Sequence, residues 1–336
     1  MSFTQVPPPR PRLNRSQLAV PGSSARFIDK ARMLPADIVM FDLEDAVAPD
    51  EKDAARRNVI GAINDLDWGR RTLSVRINGL DTPFMYRDLI EVAEQAGERL
   101  DLMMVPKVGT AADVYAIDLL LTQIEAAKQR SKRIGIELLI ESALGLRNVE
   151  AIAQASPRIE SLHFGPGDYA ASTGARTLAI GGPVPGYRVL SDPDGTGARH
   201  AHWNDMWHYP LSRIVVAARA AGLRPVDGPF ADFRDQEGFQ AAATRSAVLG
   251  FDGKWVIHPS QIERANAIFT PPDADVAKAR RLLTAMQEAQ ARGAGAVTLD
   301  GRMIDVASIR QAETLVRKAD AIAEQGAAES AVAGAA

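Results

Sequence analysis

Eight short, almost wholly apolar runs recur along the chain, separated by longer amphipathic stretches. This alternation constrains the fold more than any other feature. The runs fall at residues 17–20, 38–43, 72–77, 102–105, 134–140, 161–164, 223–226 and 254–257. Helical patterns fill most of the gaps, as at 50–63, 110–129, 211–221 and 236–249, with Gly250 placed to end the last of these. Strands that are apolar along their whole length are buried on both faces, which argues for a parallel sheet covered by helices. Eight such units over about 250 residues fit an α/β fold of the (β/α)8 TIM-barrel type. An open doubly wound sheet is the alternative.

Each apolar run is followed by a cluster of polar and turn residues. Pro21-Gly22-Ser23-Ser24 follows the first, Glu44-Asp45 the second, Asn78 the third with Arg76 just before it, and Pro106-Lys107 the fourth. Glu141-Ser142, Gly165-Pro166-Gly167-Asp168, Asp227-Gly228 and His258-Pro259-Ser260-Gln261 complete the set. A closed barrel brings all eight clusters to one rim, where barrel enzymes place their chemistry. That convergence points to an enzyme.

The expected organisation is a flexible N-terminal tail at 1–14, a catalytic barrel at 15–270, a C-terminal helical extension and lid at 271–325, and a flexible tail at 326–336. The proline-rich start cannot nucleate a helix, and the Ala/Gly-rich end has little to bury. Net charge is −3 and no long basic stripe is present, so no nucleic-acid partner is expected. Cysteine is absent, which excludes thiolate nucleophiles, disulfides and zinc–thiolate sites. No apolar run approaches the ~18 residues of a membrane helix, and the N-terminal residues lack the apolar core of a signal peptide. A soluble, cytoplasmic protein without membrane contact is the expectation.

Glu141 and Asp168 end neighbouring strands. Two carboxylates with waters and substrate oxygens suit Mg²⁺, which prefers oxygen ligands and keeps an incomplete protein shell. Either acid alone reads equally as a helix cap or a solvated loop residue; the pair at one rim reads as a metal site. The glycines before Asp168, Gly167 among them, let backbone amides approach a ligand oxygen. Glu137 shares a strand face with Glu141 and reads as an interior acid bonded to a basic partner. Asp42, Glu44 and Asp45 form an acidic cluster, either holding metal-bound water or starting the next helix. Arg76, inside an apolar run, needs a carboxylate: an internal one such as Glu44, or that of a substrate. Lys107 reads as an ion-pair partner or as a Schiff-base lysine, the metal-free route to aldol cleavage. His258 is an acid–base group or a loop fastener, and His200, His202 and His208 belong to a packed insertion rather than a metal site.

Several stretches together resemble the citrate lyase β-subunit family of barrel lyases. They are Arg15-Ser16 with Val20-Pro21-Gly22-Ser23, Phe41-Asp42-Leu43-Glu44-Asp45-Ala46-Val47, Val75-Arg76-Ile77-Asn78, Pro106-Lys107, Leu139-Ile140-Glu141-Ser142, Phe164-Gly165-Pro166-Gly167-Asp168, Gly250-Phe251-Asp252-Gly253-Lys254 and Ile257-His258-Pro259-Ser260-Gln261. Their order and spacing run from about residue 15 to 317. The segment 176–209, with Gly181-Gly182-Pro183 and Trp203-Asn204-Asp205-Met206-Trp207, resembles the branch that acts on malyl-CoA and β-methylmalyl-CoA.

The resemblance implies reversible, Mg²⁺- or Mn²⁺-dependent cleavage of an acyl-CoA thioester to acetyl-CoA or propionyl-CoA and glyoxylate. Glu141 and Asp168 would bind the metal, Arg76 and Gly167 the substrate, and Glu44 and Asp45 the metal's water. Arg26, Lys30 and the Pro259 region would hold coenzyme A. Asp300, in Thr298-Leu299-Asp300-Gly301-Arg302-Met303, would be the acid–base residue of a lid shared between subunits of a homo-oligomer, a trimer or hexamer. Residue chemistry alone reads Asp300-Gly301 as a turn. A citramalyl- or citryl-CoA lyase, a malyl-CoA thioesterase, and a non-catalytic subunit of a lyase complex are the competing implications.

Overall fold

The computed structural model describes residues 12–292, 297–299, 302–304 and 306–333. Two compact units emerge, one made mainly of residues 14–266 and one of 267–336. The first is a closed parallel barrel of eight strands. These are β1 (Ser16–Pro21), β2 (Ile38–Asp42), β3 (Thr72–Arg76), β4 (Leu102–Val105), β5 (Gly135–Ile140), β6 (Ile159–Phe164), β7 (Arg224–Asp227) and β8 (Gly253–Val256). Each falls on one of the eight apolar runs. Consecutive strands pair in parallel, and β1 closes onto β8 with Gln17 opposite Trp255. The open doubly wound sheet is thereby excluded.

Local chemistry accounts for the connecting helices. Thr110 and Asp113 form a reciprocal capping box at the start of Ala111–Ala127. Asp235 caps Gln236–Leu249, which ends at Gly250 with φ +116°, a left-handed conformation that favours glycine.

The barrel interior is layered because side chains two residues apart along a strand point the same way. Glu137, Leu139 and Glu141 stand at three successive levels of β5 and the turn after it. At the lowest level Glu137 is fully buried and accepts from Gln17 Nε2 (2.9 Å), Ser74 Oγ (2.6 Å) and Ser161 Oγ (3.3 Å). Its Oε1 lies 3.3 Å from His163 Nε2, the basic partner anticipated for it. Burial alone would raise the Glu137 pKa, but His163 and Ser74 outweigh it and hold the carboxyl below its ordinary value. The middle level is apolar: Met40, Met104, Leu139, Val226 and Trp255 pack together. Burying such a side chain contributes about 1.5–3 kcal/mol. The top level, at the C-terminal ends of the strands, is ionic.

The segment between β6 and β7 holds an exposed antiparallel hairpin, Arg188–Leu190 with Ala201–Trp203. It carries His200 and His202, and no metal-binding cluster of three or more His, Asp or Glu occurs among the described residues. The second unit holds helices Asp273–Ala291 and Val306–Ala333 and the antiparallel pair Val297–Leu299 with Arg302–Ile304. The last helix runs into the stretch expected as a tail from 326, as its alanine-rich sequence favours. The N-terminal tail, apart from residues 12–14, and Asp300 lie outside the described residues. Among the described residues no helix is long and apolar enough to cross a membrane.

Candidate active site

A cavity of about 400 Å³ opens at the C-terminal ends of the strands, lined by Asp42, Asp45, Arg76, Glu141, Gly167 and Asp168 with Leu139, Trp255 and Ile180. Five of the eight post-strand clusters contribute to it.

Arg76 ends β3 and is almost wholly buried. Its Nε and Nη2 donate to the two oxygens of Asp42 at 2.8 and 2.6 Å, a bidentate fork. Nη1 stands 2.9 Å from Glu44 Oε2 and donates to Asp45 Oδ2 at 3.3 Å. The flat guanidinium lies 5.5 Å from the Trp255 ring. The internal partner is therefore chiefly Asp42, with Glu44 second.

The two acids respond differently to the same cation. Burial would raise Asp42, but Arg76 and the backbone N–H groups of Glu44 and Ala46 hold its pKa below the ordinary value. Glu44 has no such backbone donors and sits beside Asp45, so burial wins and its pKa is raised. The Glu44 loop is held from behind by Lys52 Nζ, which donates to Leu43 O and Glu44 O at 2.8 and 2.6 Å, and by Asn78 Nδ2 on Leu43 O at 2.9 Å.

Lys107 settles the choice between ion pair and Schiff base. Its Nζ donates to Glu44 Oε1 at 2.8 Å and stands 3.6 Å from Asp45. Burial pulls the ammonium pKa down, but Glu44, Asp45 and Asp168 outweigh it and hold it above the ordinary lysine range. An amine so firmly protonated is a poor nucleophile. Lys107 also adopts φ +52°, a strained conformation for a residue with a Cβ, costing about 1–3 kcal/mol. Its amide N–H donates to Glu141 Oε1 at 2.9 Å, so the strained turn delivers a donor to the buried acid.

Glu141 is 3% exposed. Burial, with the charges of Glu44 and Asp168, pushes its carboxyl well above the ordinary range despite Arg76 and the Lys107 amide. A buried acid facing other acids is the electrostatic setting in which a divalent cation binds well. Asp168 is half-buried in the first turn of the helix Pro166–Ser172. Two carboxylates leave most coordination positions to water and substrate oxygens, as Mg²⁺ requires. Glu44 Oε2 makes no well-angled hydrogen bond and keeps acceptor capacity beside this pair.

Gly165 is shaped around Glu141, since a Cβ at that position would lie 2.4 Å from Glu141 Oε2. Gly165→Ala is therefore expected to displace the Glu141 carboxylate and to cost at least about tenfold in Mg²⁺ affinity and kcat, because small misplacements of a reacting geometry are costly. A Mg²⁺ titration of activity and of thermal stability checks it.

A second cavity of about 290 Å³ is lined by Leu18, Phe27, Lys30, Leu34, His258 and Pro259 and shares Ala19, Val20, Pro21 and Ile257 with the first. Lys30 and Pro259, two of the residues expected to hold coenzyme A, both line this second cavity. Arg26 is exposed on the helix Ala25–Ala31, four residues before Lys30, and lines neither cavity. His258 accepts from Ser260 N at 3.2 Å and stacks on Phe233 at 4.5 Å, so it fastens its loop. Asp227 accepts from the buried Lys254 at 2.6 Å and from Ser246 at 2.6 Å, a structural ion pair rather than a rim group.

Sequence reasoning missed Trp255 and His163. Trp255 Nε1 donates to His163 Nδ1 at 2.9 Å, which leaves Nε2 as the protonated nitrogen facing Ser161 and Glu137. The odd–even alternation of β6 and β8 points both rings inward and was the signal available.

Comparison with known proteins places this geometry. The family model described as HpcH/HpaI aldolase/citrate lyase matches residues 15–259. A protein of Rhodobacter capsulatus named L-malyl-CoA/beta-methylmalyl-CoA lyase is 54% identical over 320 residues, 95% of this chain and 99% of its own. A Chloroflexus aurantiacus protein named malyl-CoA/beta-methylmalyl-CoA/citramalyl-CoA lyase is 39% identical, over 90% of this chain and 85% of its own. The crystal structure of CitE from Mycobacterium tuberculosis in complex with magnesium, acetoacetate and coenzyme A superposes with a TM-score of 0.69. It is 30% identical and covers 92% of this chain and 99% of that one. With the barrel and nearly the whole length in agreement, the chain belongs to the HpcH/HpaI aldolase/citrate lyase family.

Proposed function

We infer that the protein is a Mg²⁺-dependent carbon–carbon lyase that reversibly cleaves (S)-malyl-CoA to acetyl-CoA and glyoxylate, and β-methylmalyl-CoA to propionyl-CoA and glyoxylate. The observation that carries this is one cavity holding Glu141, Asp168 and Arg76, bordered along Ala19, Val20, Pro21 and Ile257 by a second that is lined by Lys30 and Pro259. Its likeness to the Rhodobacter capsulatus lyase, over 95% of the chain, supports the choice of substrate.

Glu141 and Asp168 are the residues that would hold the divalent cation, which supplies a Lewis acid for the keto acid's carbonyl. Arg76 holds the keto acid's carboxylate beside its own internal partners, with the Gly167 backbone at the same wall. Glu44 and Asp45 fix Arg76 and Lys107 and offer acceptors to bound water. Lys30 and Pro259 flank the coenzyme A chain. During cleavage the malyl hydroxyl passes its proton to water at the rim as the carbon–carbon bond breaks, and its oxygen becomes the aldehyde oxygen of glyoxylate. The bond's electron pair passes to the acyl-CoA fragment as an enolate, which takes a proton at its terminal carbon to give acetyl-CoA. Asp300 is the proposed donor of that proton and its acceptor in condensation.

The test is direct: purified protein with Mg²⁺, acetyl-CoA and glyoxylate forms malyl-CoA, and excess chelator stops it. Product with pyruvate but not with glyoxylate overturns the substrate, and release of free coenzyme A as the main outcome makes the protein a thioesterase. Asp300→Asn is expected to lower kcat by about 10²-fold with Mg²⁺ affinity unchanged, within the range of general acid–base contributions. If the lid serves a neighbouring subunit of a homo-oligomer, mixing inactive Asp300→Asn and Glu141→Gln subunits regenerates activity. Failure to do so places the lid over its own site.

A further inference from the structure

The long connection between β6 and β7 sends one side chain into the catalytic cavity. Ile180 lines it beside Gly167, Asp168 and Pro229, and among the described residues no other member of 174–209 does. Three contacts hold it there. Ala231 N–H donates to Ile180 O at 3.1 Å. Gly181 adopts φ +75°, and a Cβ there would lie 2.1 Å from Pro229 O, so the chain passes against the loop after β7 where only glycine fits. Gly182 O accepts from Trp207 Nε1 at 2.8 Å, and Trp207 is buried edge-on against Phe164 of β6. The hairpin beyond is exposed, so the connection reaches the cavity chiefly through this one clamped aliphatic group.

Its position within the cavity is informative. The Ile180 δ-methyl would stand 3.7 Å from a Cβ on Gly167, the residue before Asp168. Ile180 is not part of the second cavity, whose shared wall is Ala19, Val20, Pro21 and Ile257 between β1 and β8. The side chain thus borders the end of the site that takes the keto acid, not the end that takes the thioester.

We propose that Ile180 is a specificity-determining residue that selects glyoxylate against 2-keto acids carrying a methyl or larger group on the carbonyl carbon. This rests on the lyase reading given above. Glyoxylate has hydrogen at the carbon where pyruvate has methyl, so a branched side chain at this end of the cavity would meet the extra carbon. A hydrophobic wall discriminates a single methylene by about 10–200-fold. Trimming isoleucine to valine removes one carbon from the wall, and trimming it to alanine removes three.

The experiment measures kcat/KM for condensation of acetyl-CoA with glyoxylate and with pyruvate, in the full-length protein with Mg²⁺, for the unsubstituted chain, Ile180→Val and Ile180→Ala. The pyruvate-to-glyoxylate ratio is expected to rise about tenfold or more in Ile180→Ala and by an intermediate factor in Ile180→Val. Ile180 is 38% exposed, so neither change opens a closed core, and the valine variant carries the test if the alanine one folds poorly. The propionyl-CoA-to-acetyl-CoA ratio with glyoxylate is expected to move by less than about twofold. A keto-acid ratio unchanged in both variants overturns the proposal, as does a larger shift in the acyl ratio than in the keto-acid ratio. Absence of glyoxylate condensation in the unsubstituted protein overturns the lyase reading itself, and is seen before any variant is made.

Discussion

Glu141→Gln lowers kcat for malyl-CoA cleavage by at least about 10³-fold while the metal-free protein unfolds no more easily than before. A Lewis acid at a reacting carbonyl is worth several kcal/mol, and each 1.36 kcal/mol is tenfold in rate. The amide keeps an oxygen for the Lys107 N–H, which Glu141 Oε1 now accepts at 2.9 Å, so the local geometry survives. What it removes is a negative charge that burial, Glu44 and Asp168 all disfavour when no cation is present. Mg²⁺ should raise the unfolding temperature of the parent protein, since a ligand bound by the native state alone stabilises it, and should leave the variant unmoved. Steady-state kinetics and a thermal scan, each over a Mg²⁺ titration, read both halves. Full activity in the variant would remove Glu141 from the metal site.

Arg76→Met is expected to destabilise the fold by about 3–5 kcal/mol, the usual cost of stripping a buried charge of its partner. Asp42 would lose a bidentate fork and Glu44 an ion pair, both in a site shielded from water. The pH dependence carries a definite sign. Asp42 has a folded pKa below its unfolded value near 3.9, so its contribution is fully present above that value. It is lost as pH falls through the folded pKa. The variant has forfeited most of this contribution already, so the stability gap between the two proteins should narrow as the medium is taken below about pH 4. Urea unfolding at pH 7 and at the acid end measures it; a gap under about 1 kcal/mol at pH 7 would show Arg76 to be held for substrate alone.

Much of this was legible in one dimension. The eight apolar runs and the polar clusters after them announced a barrel with a functional rim, because burial on both faces leaves a strand no polar alternation. Gly250 marked a helix end, and the even spacing of Glu137 and Glu141 put both on the inner face of β5. The strand-end placement of Glu141 and Asp168 made them a pair before any distance was known.

Partnership was not legible. Arg76 had a choice of an internal carboxylate such as Glu44 or that of a substrate, and Lys107 of an ion pair or a covalent role; the sequence did not single out Asp42. Register across β2, β3 and β4 sets which side chains share a level, and that register put Asp42 directly beside Arg76. The Trp255–His163–Glu137 chain joins β8, β6 and β5 through the barrel, and Ile180 reaches the cavity only because Gly181 and Trp207 bend its loop back over the rim. Periodicity determines the direction in which a side chain points, since it depends on neighbours in the chain. The group it meets depends on strand stagger and loop path, which only the closed tertiary structure fixes.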